Sequence, residues 1–167
     1  MKKILVYFKE LLWMASRLFS AVPADNKLSL RRSEFFPGKD YAYLMWCGVL
    51  IYREERLSKI DSVSLNHERI HLCQARAKGS WLRYYWSYLW QLMRGWGFGG
   101  PKMAAYYTNP YEMEAYANER VMGYCSFYKP LNMKRYFVNN RRKVFEENRG
   151  SWRRFLYDLS REGLVEK

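Results

Sequence analysis

The chain has 167 residues, the size of one ordinary domain. Hydrophobic residues make up 49% of it and aromatic residues 19%, which argues against a disordered chain. Lys and Arg outnumber Asp and Glu by 29 to 16, so a net charge of +13 favours anionic partners such as phospholipid headgroups or nucleic acid. The 3 cysteines are widely spaced and lack a CxxC pair, which argues against a disulfide framework and indicates a reducing, cytoplasmic location.

Residues 1–22 predict an amphipathic helix. Over residues 2–20 the charged side chains gather on one arc, while Ile4, Phe8 and Leu12 lie on the opposite, apolar arc. Two interpretations stay open: the helix packs on the domain's own core, or it lies in a membrane interface with its basic edge on anionic headgroups. Charged residues interrupt the apolar run, so neither a cleaved signal nor a spanning helix is expected.

The next segments predict a loop, a small strand region and a helix. Residues 22–40 are polar and broken by prolines, which is typical of a connecting loop. Residues 41–56 are aromatic and β-branched around Gly48, which predicts one or two strands. A helix capped by Ser64 or Asn66 should then run through "HERIHLCQARAK" and end at Gly79.

The remaining segments are mainly helical. Residues 80–94 predict a helix that is mostly buried, in the domain or in a lipid interface. "GWGFGGP", residues 95–101, indicates a loop, with a mobile lid as the alternative. Residues 108–123 have the signals of a capped helix, and the basic residues 124–167 predict two helices with a break near Gly150. We therefore expect a mainly helical α+β single domain, 1–167, with a small strand region before the "HERIH" helix.

The only two histidines, His67 and His71, are four residues apart with Glu68 between them. Side chains at this spacing project from one helix face, so both imidazoles can reach one tetrahedral zinc. Glu68 points partly aside, where it can take a proton from a water molecule. The alternative is an ordinary surface helix turn in which Glu68 pairs with a nearby arginine.

A hydrolytic zinc site needs a third protein ligand and an open position. Cys73 follows His71 by two residues and should face away into the core. Glu112 and Glu119 share one face of the later helix, and Glu114 is turned off it. Because seven residues separate Glu112 from Glu119 by about 10 Å along the axis, only one of them should reach the metal. Glu112 has an alternative use, because it can form a capping box with the backbone of its helix cap.

These motifs together resemble the gluzincin metallopeptidases. "HERIH" followed by "NPYEMEA" is similar to the branch with a Glu-x-x-Ala second motif, which includes CAAX prenyl-protease-like and heat-shock-protease-like enzymes and short bacterial zincin domains. The resemblance implies a zincin-like fold with Glu112 as third zinc ligand beside Ala115. "HERIHLCQ" also resembles an HExxHxxQ form through Gln74. Tyr116 departs from the branch, which commonly has aspartate there, so the residues that orient the ligands must differ.

The sequence thus predicts a zinc metallopeptidase with a core at 41–123, acting on a peptide or protein. His67, His71 and Glu112 would hold zinc and Glu68 would be the general base. Gln74, Tyr116 and Glu119 are candidates for orienting the ligands or stabilising the oxyanion, and Tyr106 and Tyr107 are further candidates for the oxyanion.

Three other functions compete with this prediction. A basic protein could bind an anionic membrane surface with a vestigial zinc motif, peripheral to the membrane. Nucleic-acid binding is not expected, since the basic residues are spread along the chain rather than gathered in a reading motif. A structural zinc site would have a fourth protein ligand in place of water. The substrate and the oligomeric state stay open.

Overall fold

The computed structural model describes residues 2–38, 41–96 and 102–161. They are mainly helical with a small three-stranded sheet, which confirms the predicted fold class. The chain divides into two compact units, Met1–Arg83 and Tyr84–Lys167. Each unit is described by itself below, and the predicted single domain stays a prediction.

The first unit contains three strands and most of the predicted helices of the N-terminal half. In chain order these are α1 (Lys2–Arg17), β1 (Ser29–Arg32), β2 (Tyr43–Trp46), β3 (Val49–Tyr52), a 3-10 helix (Glu54–Lys59) and α2 (Ser62–Lys78); α3 (Trp81–Trp96) begins here. Among the described residues, no helix is long and apolar enough to cross a membrane.

The sheet has the order β1-β3-β2, with β3 in the centre. β2 and β3 form an antiparallel hairpin in which Trp46 pairs with Val49, as expected for two strands around Gly48. β1 pairs in parallel with β3, from Ser29 opposite Val49 onward. The prediction of an unbroken loop over 22–40 is therefore wrong for β1, whose four mostly exposed residues carry too short a pattern to signal a strand.

The hairpin turn requires left-handed backbone at both central residues. Cys47 has φ 49° and Gly48 has φ 76°, the signs of a type I′ turn, whose twist matches that of the flanking strands. A Cβ at Gly48 would also lie 3.3 Å from the Trp81 ring and 3.4 Å from Pro23. Gly48 therefore serves both the turn and the packing of buried Trp81 against it.

α2 begins one residue after its cap, Asp61, whose carboxylate accepts a hydrogen bond from the Ser64 N–H at 2.7 Å. The predicted caps, Ser64 and Asn66, are wrong because the helix starts earlier than the apolar pattern does. Gly79 ends the helix in the left-handed conformation, as predicted. Arg76 on this helix donates to the backbone oxygens of Pro23 and Asp25, which fixes the preceding loop to α2.

The second unit, which begins within α3, contains helices and connecting turns but no strand among its described residues. It contains the rest of α3, then α4 (Lys102–Tyr107), α5 (Pro110–Asn118), two 3-10 helices (Tyr124–Ser126 and Pro130–Tyr136), α6 (Arg141–Asn148), a 3-10 turn (Arg149–Ser151) and α7 (Trp152–Arg161). The break between α6 and α7 confirms the prediction around Gly150. The glycine-rich segment lies mostly outside the described residues, since only Gly95 and Trp96 of it are described, at the end of α3.

The core of the second unit holds α5 in place. Met113 of α5, Tyr136 of the 3-10 helix Pro130–Tyr136 and Leu156 of α7 are buried together. Partly buried aromatic residues of α7 pack around them. On the other side of this unit, buried Arg141 of α6 donates to the backbone oxygen and side-chain oxygen of Gln91 on α3. The first of these contacts holds α5 against α7, and the second joins α3 to α6.

The Gly48→Ala variant should lower the free energy of unfolding by about 1 to 2 kcal/mol, because an L-residue is strained at this φ. Urea denaturation measures the change. Gly150→Ala is the matched control, since a Cβ there meets nothing within 4 Å, and it should change the value by less than about 0.5 kcal/mol. Equal stabilities for Gly48→Ala and the wild type would contradict the assigned turn.

Candidate metal centre

The two histidines lie on the buried face of α2. His67 and His71 are both buried, their Nε2 atoms are 3.2 Å apart, and their rings are nearly perpendicular. Two ligands of a tetrahedral zinc, each roughly 2.0 to 2.1 Å from the metal, lie about 3.3 Å apart. The Nε2–Nε2 distance therefore fits the edge of a zinc tetrahedron, and burial excludes the interpretation of "HERIH" as an exposed helix turn.

Gln74 fixes which nitrogen of His71 is available. The His71 Nδ1 lies 2.7 Å from the Gln74 side-chain oxygen, and Gln74 is fully buried. Because an amide oxygen only accepts, Nδ1 carries the proton and the lone pair is left on Nε2. This tautomer places the lone pair on the nitrogen that faces His67, and an orienting role for Gln74 stays a prediction.

Glu68 is buried beside His67 on the same helix. A carboxylate excluded from most solvent is costly to ionise unless a cation or hydrogen-bond donors lie near it. A cation held by the neighbouring histidines would stabilise the ionised form, which is the form that accepts a proton. Burial of Glu68 argues against the exposed helix turn, and its role as a general base stays a prediction.

Glu112 is held at the start of α5. Asn109 caps this helix by accepting a hydrogen bond from the Tyr111 N–H, and Pro110 occupies the first turn. The Asn109 N–H donates to the Tyr106 carbonyl oxygen at 3.0 Å, which leaves the capping-box interpretation of Glu112 without its donor. Buried Glu112 instead accepts a hydrogen bond from the Tyr88 hydroxyl at 2.7 Å.

Tyr88 was missed by the sequence analysis, because it is one of 15 tyrosines and belongs to no recognisable motif. Its hydroxyl donates to Glu112 Oε1, and its carbonyl oxygen accepts from the Asn109 side-chain N–H at 3.2 Å. One residue of α3 thus positions both the cap and the glutamate of α5. A carboxylate has two oxygens, so this bond leaves Glu112 able to bind a metal.

His67, His71 and Glu112 form a buried group that could hold a metal ion. Each offers one ligand atom, and the three atoms lie within 4.8 Å of one another. Two imidazoles and one carboxylate are a donor set typical of catalytic zinc, and a third protein ligand leaves the fourth position for water. These three residues are the ones that the sequence analysis names as candidate zinc ligands.

The other predicted residues have different surroundings. Glu119 is buried and forms an ion pair with Arg153 at 3.0 Å, and it does not belong to the metal-capable group. Glu114 is fully buried and accepts a hydrogen bond from Tyr124 at 3.0 Å, in agreement with its predicted turn away from the site. Cys73 is buried with its thiol near the Asn26 side chain, as expected of a core residue.

Two tyrosines next to Glu112 keep their protons. Burial, and then the negative charge of Glu112, raise the pKa of Tyr106 above its ordinary value. Burial likewise raises the pKa of Tyr116 to about 12, despite an opposing hydrogen bond from Tyr106. Both phenols are therefore protonated at neutral pH and retain a donor. Tyr107 instead stacks on Phe145 of α6, which is a packing role.

Comparison of the chain with protein-family models, with curated proteins and with solved structures found no match. The functional assignment therefore rests on the chemistry of the site itself.

Proposed function

We propose that the chain is a zinc-dependent metallopeptidase of the gluzincin type. The observation that carries this proposal is the buried group of two imidazoles and one carboxylate, with a buried glutamate between the histidines in sequence. His67, His71 and Glu112 would hold the zinc. Zinc, when bound, would acidify a water molecule and polarise the peptide carbonyl.

The protein's own groups would supply proton transfer and orientation. Glu68 would accept the proton of the attacking water and then deliver it to the leaving amine. Gln74 would keep His71 in the tautomer that exposes Nε2, and Tyr88 would hold Glu112 through its hydroxyl. Tyr106 and Tyr116, protonated at neutral pH, are the candidate donors to the developing oxyanion.

A structural zinc site is the main alternative for the same ligands. It would require a fourth protein ligand. Within the described residues, the metal-capable group contains three members, and the two nearest sequence candidates, Cys73 and Glu119, contact Asn26 and Arg153 respectively. This ligand count supports a hydrolytic site over a structural one.

Elemental analysis of protein purified without chelator tests the ligand set. We expect about one zinc per chain in the wild type and loss of it in His71→Ala and in Glu112→Ala. Glu119→Gln is the matched control: it removes a buried carboxylate of the same helical region and should retain zinc. A wild type that holds no zinc after the metal is added back would contradict the proposal.

The Glu68→Gln variant distinguishes an effect on catalysis from an effect on metal binding. This variant should retain zinc, since Glu68 is not a ligand, and should hydrolyse a fluorogenic peptide library on the order of 100 to 10,000 times more slowly than the wild type. The measurement is the initial rate against zinc content for each protein. Equal rates in the variant and the wild type would eliminate Glu68 as the base.

Gln74 should act as a positioning residue. Gln74→Met, which keeps the volume but loses the acceptor, should weaken zinc affinity roughly 10- to 100-fold, as measured by competition with a chromophoric chelator. Gln74→Glu keeps an acceptor at the same place and should restore most of the affinity. Equal affinities for Gln74→Met and Gln74→Glu would show that the contact with His71 does not orient the ligand.

A further inference from the structure

One face of α3 is apolar and exposed. Trp86, Leu89, Trp90 and Met93, which we call the tryptophan face, point away from the buried residues Tyr84 and Gln91 of the same helix. Trp86 is 70% exposed and Trp90 is 52% exposed. The prediction that this helix is mostly buried is thus correct only for the opposite side. A contiguous exposed face of large apolar side chains indicates an interaction site.

α1 presents a second face of this kind, in the first unit. Two of its charged side chains turn inward: Glu10 accepts a hydrogen bond from Ser33, and Arg17 donates to the Cys47 carbonyl oxygen, whereas Lys3 and Lys9 are exposed. Its apolar residues turn outward, each at least 56% exposed; they are Ile4, Leu5, Phe8 and Leu12. α1 therefore packs on its own unit through one side, on which Tyr7 stacks on Phe36 and the Arg31 guanidinium lies over the Trp13 ring, and it leaves this apolar set exposed.

The charge around the tryptophan face is positive. α3 itself contains two basic residues, Arg83 and Arg94, and no acidic residue. Both arginines are exposed. A helix face that combines large apolar side chains with positive charge is complementary to anionic lipid, whose headgroups attract the arginines while the acyl region accepts the indoles.

The tryptophans and the length of α3 also favour a lipid bilayer as the partner. Indole rings concentrate at the headgroup level of bilayers because they have an apolar body and a polar N–H. α3 has 16 residues, too few to span a bilayer but enough to lie in its interface. A second copy of the chain fits less well, since it would bring another net charge of +13 against the same basic surface.

We propose that the chain docks on an anionic lipid bilayer through the tryptophan face of α3, and that the outward apolar arc of α1 inserts in the same kind of surface. This docking proposal does not depend on zinc, so it and the metallopeptidase proposal can fail separately. It is consistent with a peptidase whose substrates are presented at a membrane.

Co-sedimentation of the full chain with vesicles tests the proposal. The chain should bind phosphatidylcholine vesicles that contain about 30% phosphatidylglycerol, and raising the salt from about 0.1 M to about 0.5 M should weaken this binding. Vesicles of phosphatidylcholine alone should bind more weakly. Absence of binding to the anionic vesicles would overturn the proposal.

Variants locate the contact. Trp86→Ser/Trp90→Ser should weaken binding by at least about tenfold, and Ile4→Ser/Phe8→Ser should weaken it separately, because each pair removes large apolar side chains from the interface. Phe127→Ser/Leu131→Ser, which removes two exposed apolar side chains elsewhere, is the matched control and should bind within about twofold of the wild type.

Folding and zinc content are controlled in the same samples. The thermal midpoint and the zinc content of the tryptophan variant should match those of the wild type, because the substituted side chains are exposed. Wild-type affinity in the tryptophan variant would overturn the role of this face. The lipid proposal would also be overturned if the wild type formed dimers without lipid and the tryptophan variant were a monomer, because the face would then bind a second copy of the chain.

Discussion

Burial of two imidazoles one helical turn apart is the constraint on which the site depends. With their Nε2 atoms 3.2 Å apart, His67 and His71 cannot both be protonated without strong repulsion between like charges. At least one must present a lone pair to the other ring or to a cation. Gln74 selects that lone pair on His71 by accepting the Nδ1 proton. A metal ion would satisfy both nitrogens at once, and the buried carboxylate of Glu112 would offset its charge.

The remainder of each unit holds these groups in place. In the first unit, the Asp61 cap and Gly79 set the ends of α2, and Arg76 ties this helix to the preceding loop. In the second unit, Tyr88 and the Asn109 cap fix the first turn of α5, while Met113 and Leu156 anchor the helix in its core. The position of Glu112 thus depends on residues such as Tyr88 and Leu156, which are far from it in sequence.

The candidate ligands could be proposed from the sequence because their chemistry is local. His67, Glu68 and His71 are defined by helical spacing, and Glu112 follows from its helix start and from a resemblance. Tyr88 could not be predicted, since its contact with Glu112 joins residues that are 24 positions apart on different helices. β1 was missed for a similar reason: its pairing with β3, rather than its own pattern, makes it a strand.

The orientation of the amphipathic helices was the other unpredictable feature. Periodicity shows which arc of a helix is apolar, but not whether that arc faces the core or another partner. In α1 the inward side is mixed: Glu10 and Arg17 have polar partners there, and Tyr7 stacks on Phe36. In α3 both sides are rich in aromatic residues, so burial of one side left the other apolar and exposed. The net charge of +13 favours lipid over a second copy of the chain as the proposed partner.

Zinc K-edge X-ray absorption on the purified, zinc-loaded chain is the most direct test of the central claim. The account predicts four light-atom ligands at roughly 2.0 to 2.1 Å, of which two show the outer-shell scattering of imidazole, and no sulfur. A sulfur shell at about 2.3 Å, or a single imidazole, would contradict the site formed by His67, His71 and Glu112.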